Sequence, residues 1–334
     1  MIAMQHAFVG RTGIKVSRLA LGTMTFGGEA DRETSAAIYR RARDAGIDLF
    51  DTADIYQKGV SEEILGALIR GERDRIVLAS KAYFPSGARG PNDRGSSRLH
   101  LVRSVEGSLR RLGTDRIELY YLHRFDERTD LEESLRGLEQ LVQSGKILYP
   151  AVSNFAAWQV SKALGIQRMR GWAPLAAIQP MYSLVKRQAE VELLPMAQDE
   201  GLAVFPYSPL GGGLLSGKYG VHDRPSAGRL VDWEVYRVRY GDPSVYETAD
   251  RFVALARDHG WHPAALAVAW VASHPAVTAP LLGARSVAQL DAVLGAVDIG
   301  MTCELRESIS LLSTAPPPAT DRTEEGLVAI GGDR

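Results

Sequence analysis

Short apolar runs alternate with amphipathic stretches from about residue 18 to about residue 295. The runs are Leu19–Leu21, Asp48–Phe50, Ile76–Ala79, Ile117–Leu122, Ile147–Val152, Ala176–Ile178, Ala203–Phe205 and Thr278–Leu282. They are brief and apolar almost throughout. That texture suits parallel strands covered on both faces, not strands with one wet face. Helical patterns fill the intervals, as in Glu33–Ala45, Arg98–Leu112, Leu131–Ser144, Val191–Glu200 and Ala249–Asp258. Within 98–112, Leu101, Val105, Ser108, Leu109 and Leu112 recur three and four apart and form one stripe. Gly113, Gly145 and Gly201 follow such segments, where a left-handed C-cap falls. Eight β-then-α units of unchanging texture predict a (β/α)8 barrel, an α/β fold in a single domain over residues 1–313. An open doubly wound sheet is the alternative.

Three stretches break the rhythm. Residues 82–97 form a loop rich in Gly, Pro and Arg. Residues 211–245 form a long insertion after the seventh strand, and loops of that length are usually functional or disordered. Residues 314–334 carry Pro316-Pro317-Pro318 and end in Gly-Gly-Asp-Arg, which predicts a flexible tail.

The chain has 334 residues, 45% hydrophobic and 24% charged, enough for a substantial core. The formal net charge of -1 gives no general attraction to nucleic acid or to an anionic membrane, so neither is expected as a partner. The pair Arg110-Arg111 reads as the solvated side of a helix. Cys303 is the only cysteine, so no intrachain disulfide forms. The N-terminus lacks a basic start followed by a long apolar stretch, and no run reaches about 18 apolar residues. A cytoplasmic protein is expected. Oligomeric state is left open.

In a barrel the reaction face is formed by the C-terminal strand ends. Asp51 ends the second run, Lys81 the third and His123 the fourth. Ser153 and Asn154 end the fifth and Gln179 the sixth. Tyr207 and Ser208 end the seventh, and Gly283-Ala284-Arg285 the eighth. Tyr56 follows Asp51 by five residues, on a loop able to turn back over the same mouth.

Asp51, Tyr56, Lys81 and His123 form a set whose chemistry is definable. A carbonyl that accepts a hydride needs a proton on its oxygen. A phenol can supply it, but its reference pKa of about 10 lies some ~4 kcal/mol from neutrality. An ammonium near 4 Å contributes roughly 4 kcal/mol at an effective dielectric of ~20. Lys81 is expected to make Tyr56 a useful acid in this way. Asp51 would hold the lysine charged, and His123 would orient the carbonyl. The competing reading is a buried ion pair that only braces the barrel, beside a core histidine. The seven histidines include no H-E-x-x-H, so no metal site is expected. Gly212–Tyr219 half matches a P-loop, but Tyr219 stands where a Ser or Thr is needed.

At these residues the chain resembles the aldo-keto reductases, from Phe8 to about residue 312. The matching segments include LALGTMTFGG (19–28), LFDTADIYQKGVSEEILG (49–66), ELYYLHRFD (118–126), PYSPLGGGLLSGKY (206–219) and PLLGARSVAQL (280–290). It is similar to the branch that holds bacterial reductases and the β subunits of potassium channels. The resemblance implies a (β/α)8 barrel that binds NADP(H) without a Rossmann domain and reduces a small-molecule carbonyl. It makes Tyr56 the proton donor, supported by Asp51, Lys81 and His123. It assigns Ser153, Asn154 and Gln179 to the nicotinamide carboxamide and Tyr207 to the face of the ring. Gly22, Thr23 and Met24 would border the nicotinamide end. Ser208, Leu210, Gly211 and Lys218 would hold the pyrophosphate. Gly283, Arg285 and Gln289 would lie at the adenosine phosphate end. A guanidinium there suits the 2′-phosphate of NADP.

The chain departs from the branch in two places. Ala292 and Val293 stand where a Glu-Asn pair usually contacts adenine, which leaves the NADP preference open. Tyr149-Pro150-Ala151 replaces the usual approach to Val-Ser, and the proline predicts a local bulge near Ser153. The channel-subunit likeness also implies a second class of function, an NADP(H)-binding regulatory subunit with slow or vestigial chemistry. Trp233, Tyr236 and Tyr240 would either line a substrate pocket or pack the insertion.

Overall fold

A computed structural model describes residues 4–85 and 90–322. Part of the 82–97 loop and most of the expected tail thus lie outside the described residues. The chain opens with an antiparallel hairpin, β1 (His6–Phe8) and β2 (Lys15–Ser17). Eight parallel strands follow: β3 (Ala20–Gly22), β4 (Leu49–Asp51), β5 (Val77–Ala82), β6 (Ile117–Leu122), β7 (Ile147–Ser153), β8 (Ala177–Gln179), β9 (Ala203–Val204) and β10 (Leu281–Leu282). Their order in the sheet is β10-β3-β4-β5-β6-β7-β8-β9. Each predicted run contains one of these strands or overlaps it. Backbone bonds also run from Thr278 N to Val204 O (2.9 Å) and from Leu281 N to Pro206 O (2.9 Å). They link the segments that carry the two end strands of the list.

Two hydrophobic layers follow from the strand period of two. Ala20, Leu49, Ala79, Leu119, Tyr121, Ala151, Ala177 and Ala203 form one cluster with Val9 and Val16 of the hairpin. Leu21, Phe50, Leu78, Tyr120, Leu122, Val152, Ile178 and Val204 form the other, against the helices. Small residues in the first layer let the strands curl tightly. The hairpin seats there too: a Cβ on Gly10 would sit 2.7 Å from the Gly201 carbonyl oxygen and 3.1 Å from that of Ala176. The hairpin covers the strand starts and leaves the strand ends open.

The helices begin and end where their caps dictate. Asp31 caps Arg32–Asp44 by accepting from Thr34 N, and Ser97 caps Arg98–Leu112 by accepting from His100 N. Gly113 ends the latter with φ 64°, as its position predicts. The 211–245 insertion is not structureless. It holds a 3-10 turn (Gly211–Ser216) and two short helices, Arg229–Asp232 and Glu234–Arg239. Its apolar side chains anchor it, with Leu214, Leu215 and Tyr240 fully buried. Pro150 makes no bulge. The β7–β8 register runs unbroken through Ala151↔Ala177, Val152↔Ile178 and Ser153↔Gln179. The missing proline donor is confined to one position, and the Pro150 carbonyl still accepts from Ala176 N (2.9 Å).

Among the described residues no helix is long and apolar enough to cross a membrane. The helices Val60–Ile69 and Arg98–Leu112 approach closely at Gly66, where a Cβ would lie 2.5 Å from the Leu112 carbonyl oxygen. Backbone cannot yield as a side chain does. Gly66→Ala should therefore destabilise the fold by about 1–3 kcal/mol despite its better helix propensity. Urea unfolding checks this. A variant as stable as the parent would show that the two helices separate freely.

Candidate active site

Strand alternation places consecutive β5 residues on opposite sides of the sheet. Lys81 turns to the dry inner side and is fully buried. Its ammonium is hydrogen-bonded to Asp51 Oδ1, to the Thr52 carbonyl (2.7 Å) and to the Tyr56 hydroxyl (3.4 Å). An ammonium has three donors, and each is directed. Asp51, 3% exposed, accepts from Gln179 Nε2 (2.9 Å) on its other oxygen. The pair thus has the partners that a buried charge requires. Loss of water opposes the lysine charge, but Asp51 and Tyr56 outweigh it and hold the ammonium above its ordinary pKa.

Tyr56 opens a short 3-10 turn. Gln57 (φ 49°) and Lys58 (φ 56°) follow it in the left-handed region, which is costly for residues with a side chain. The turn is held from both ends. The Tyr56 amide bonds the Ala53 carbonyl (3.1 Å). On the helix that follows, Ser61 Oγ donates to the Thr23 carbonyl (2.7 Å) and contacts the hydroxyls of Thr23 (2.9 Å) and Thr52 (3.1 Å).

His123 stands beside the phenol. Its ring lies edge-on to Tyr56 at 6.0 Å between centroids and edge-on to Phe84 at 5.3 Å. Its Nδ1 is buried without a partner. Burial, helped by the Lys81 charge, pushes the imidazole down to about 3, so the ring is neutral at neutral pH. The expectation for Tyr56 needs correction. Lys81 does pull the phenol down, but loss of water outweighs it and the hydroxyl sits above its ordinary pKa.

The remaining strand-end residues join this group through hydrogen bonds. Asn154 Nδ2 donates to the His123 carbonyl (2.9 Å) and to Ser153 Oγ (3.0 Å). Tyr207 Oη donates to Asn154 Oδ1 (2.8 Å), and Ser153 Oγ to the Gln179 carbonyl (2.9 Å). Gly22 pairs with Asp51 across β3 and β4, and Thr23 N donates to the Asp51 carbonyl (2.8 Å). Met24 is half-buried next to them. From the insertion, Tyr236 lies within electrostatic reach of both Tyr56 and Tyr207. Tyr236 and Tyr240 stack on each other and are buried, whereas Trp233 is 45% exposed. The tyrosines pack the insertion, and the tryptophan is left at the surface.

A second group gathers at the end of β10. Arg285 Nη1 bonds Glu29 (3.2 Å), which also holds Arg229 (3.0 Å). Gln289 accepts from the Arg285 amide (3.0 Å). Gly283 is exposed beside them. Lys218 is pushed below its ordinary pKa by loss of water and by repulsion from Arg285 and Arg229, against the pull of Glu29. Three cations thus face one carboxylate. Ser208 and Gly211 share a tight turn, with the Gly211 amide on the Ser208 carbonyl (2.9 Å), and Leu210 between them is half-buried. Ala292 is half-buried and Val293 is buried, so neither offers a polar group there.

One buried acid escaped the sequence reading. Asp54 faces the helices, away from Lys81, and both of its oxygens are buried without a partner. Next to it Glu62, also fully buried, holds Ser80 Oγ (2.6 Å) and Arg111 Nε (2.7 Å). Arg111 is therefore drawn inward and is not a solvated residue. Burial, then repulsion from Glu62, pushes the Asp54 carboxyl up to about 8. Nothing in the spacing of charged residues marks this. The signal is only that Asp54 sits among apolar positions.

A raised carboxyl binds its proton more tightly folded than unfolded. The Asp54 contribution to stability should therefore be fully present below the ordinary Asp value near 4, and should be lost at up to about 1.4 kcal/mol per unit as pH rises to about 8. Asp54→Asn should flatten that slope, as read from urea unfolding at several pH values. An unchanged slope would assign it to other groups.

Comparison with known proteins gives a consistent picture. The model of the aldo/keto reductase family matches residues 18–309. An uncharacterized oxidoreductase of Bacillus subtilis, YrpG, is 40% identical over 94% of this chain and 97% of its own. A probable voltage-gated potassium channel subunit beta of Oryza sativa is 33% identical over 95% and 99%. The versiconal hemiacetal acetate reductase of Aspergillus parasiticus is 31% identical over 90% and 94%. A chain matched from Arg18 to Ile309, with full-length relatives of this kind, belongs to the aldo/keto reductase family of oxidoreductases.

Proposed function

We propose that this protein reduces an aldehyde or ketone to an alcohol with NADPH, and that its sheet closes as a (β/α)8 barrel. The bonds from Thr278 and Leu281 to Val204 and Pro206 support closure. The observation that carries the chemistry is the buried Lys81 ammonium, 3.4 Å from the Tyr56 hydroxyl and beside a neutral His123.

The residues present suit the cofactor. The excess of cations at Lys218, Arg229 and Arg285 suits a phosphorylated ligand, and Arg285 suits the 2′-phosphate. Asn154, Ser153 and Gln179 offer amide and hydroxyl groups to a carboxamide, and Tyr207 offers a ring face. A reduced nicotinamide supplies the hydride when bound. The side chains then manage the oxygen. A phenol with a raised pKa keeps its proton until the carbonyl oxygen becomes basic in the transition state. Tyr56 then donates that proton, and the alcohol leaves with one hydride and one proton added. The phenolate that remains is stabilised by Lys81 by about 5 kcal/mol at an effective dielectric of ~20. His123, neutral, is able to donate a hydrogen bond that orients the carbonyl without competing for its proton. Asp51 keeps Lys81 charged throughout.

The similarity to channel β subunits favours a second reading, a cofactor-binding regulatory protein. NADPH binding with no turnover on any reactive carbonyl would support that reading. The intact Tyr56, Lys81 and His123 set weighs against it.

Mixing the protein with NADPH and a panel of nitrobenzaldehydes tests the first reading through loss of nicotinamide absorbance. Tyr56→Phe should lower kcat by about 10²–10⁴-fold while sparing NADPH binding in a fluorescence titration. Wild-type turnover in that variant would move the proton donor elsewhere. Arg285→Ala should weaken NADPH by about tenfold and NADH little, since the lost contact is to a phosphate that only NADPH carries. Equal weakening of both cofactors would remove Arg285 from the 2′-phosphate.

A further inference from the structure

A second cavity, of about 400 Å³, lies between residues 90–93 and the helix Arg98–Leu112. It shares no lining residue with the strand-end site. Its polar walls are Asn92, Asp93, His100, Arg103, Ser104, Arg110 and Arg111, with glycines and Pro91 completing them. That volume falls in the range of about 300–1,000 Å³ typical of small-molecule pockets.

The polar groups of the cavity are unevenly satisfied. The Asp93 side chain is only 10% exposed, yet its Oδ2 is buried with no partner. Its Oδ1 lies 3.9 Å from His100 Nδ1, too far for a hydrogen bond. His100 cannot neutralise it, because loss of water holds that imidazole below its ordinary pKa. A buried acceptor without a donor is costly, and such a group in a native protein calls for an explanation, a bound water or ion among them.

The cations are uneven too. Arg111 is committed to Glu62. Arg103 and Arg110 are exposed at the rim, and among the described residues neither forms a salt bridge. Glu106, the carboxylate near Arg110, is already taken by Lys146 (2.7 Å). One end of the cavity therefore asks for a hydrogen-bond donor, and the rim asks for an anion that two guanidinium groups are able to share.

We propose that this cavity binds a small phosphorylated polyol, its hydroxyl donating to Asp93 and its phosphate held by Arg103 and Arg110. The proposal does not depend on the reductase reading.

Sorbitol 6-phosphate is a suitable probe, because it has no carbonyl. Calorimetric titration into the cofactor-free protein should show saturable binding. Arg103→Ala/Arg110→Ala should weaken it by about tenfold or more, as for the loss of charge-assisted contacts. Both arginines are exposed, so this variant should keep the parent's Tm. Asp93→Ala should weaken sorbitol 6-phosphate but leave the weaker binding of inorganic phosphate unchanged. No saturable binding to the parent would overturn the proposal. Undiminished binding in the double variant would overturn it too, by assigning the phosphate to the cluster of Lys218, Arg229 and Arg285. Loss of both ligands in Asp93→Ala would remove the acceptor role argued for Asp93.

Discussion

An ammonium buried inside a curled sheet is the constraint to which the rest of the site answers. Lys81 has no water, and an unpaired charge there would cost several kcal/mol. Asp51 and the Thr52 carbonyl satisfy two of its donors. Both come from the neighbouring strand and its exit, so the need of the lysine for partners fixes how β4 ends. The third donor points at Tyr56 and is long, at 3.4 Å. That contact has room to tighten if the phenol loses its proton. The same lysine disfavours protonation of His123. One charge thus pulls on two neighbours in the same direction, although loss of water is the larger influence on each.

The parallel sheet was legible because strands buried on both faces leave continuous apolar runs, and eight such runs stand out from the helices between them. The strand-end residues were legible for the same reason, since a polar group directly after such a run has few places to go. The hairpin at residues 6–17 was not. Its strands are three residues long, and Phe8 is 56% exposed, so no clean alternation exists to be seen. The short helices of the insertion leave no mark in the sequence, because its anchors, Leu214, Leu215, Leu230 and Tyr240, are scattered without a period.

Electrostatics was the harder part to read. The distance argument for Lys81 and Tyr56 had the right sign for that pair, yet the removal of water around the phenol is larger. Residue order carries no measure of local water. Arg111 looked solvated for the same reason. Only the fold shows that Glu62 is fully buried one helix away and draws the guanidinium inward.

The two faces of the sheet are coupled through β5. Ser80 faces outward and donates to Glu62, while Lys81 faces inward toward Asp51. Glu62 and Ser61 lie on the helix that begins directly after the Tyr56 turn. Ser61 ties that helix to Thr23 and Thr52, and Glu62 ties it to Ser80 and Arg111. These bonds offset the left-handed backbone at Gln57 and Lys58, which costs about 1–3 kcal/mol per residue and would relax if the helix slid. The position of the Tyr56 hydroxyl therefore depends on polar contacts made outside the sheet, on the side that faces the helices. That gives Glu62 a physical reason to sit buried behind the site. Glu62 takes the Arg111 guanidinium, and burial with repulsion from Glu62 raises the Asp54 carboxyl and favours its protonated form.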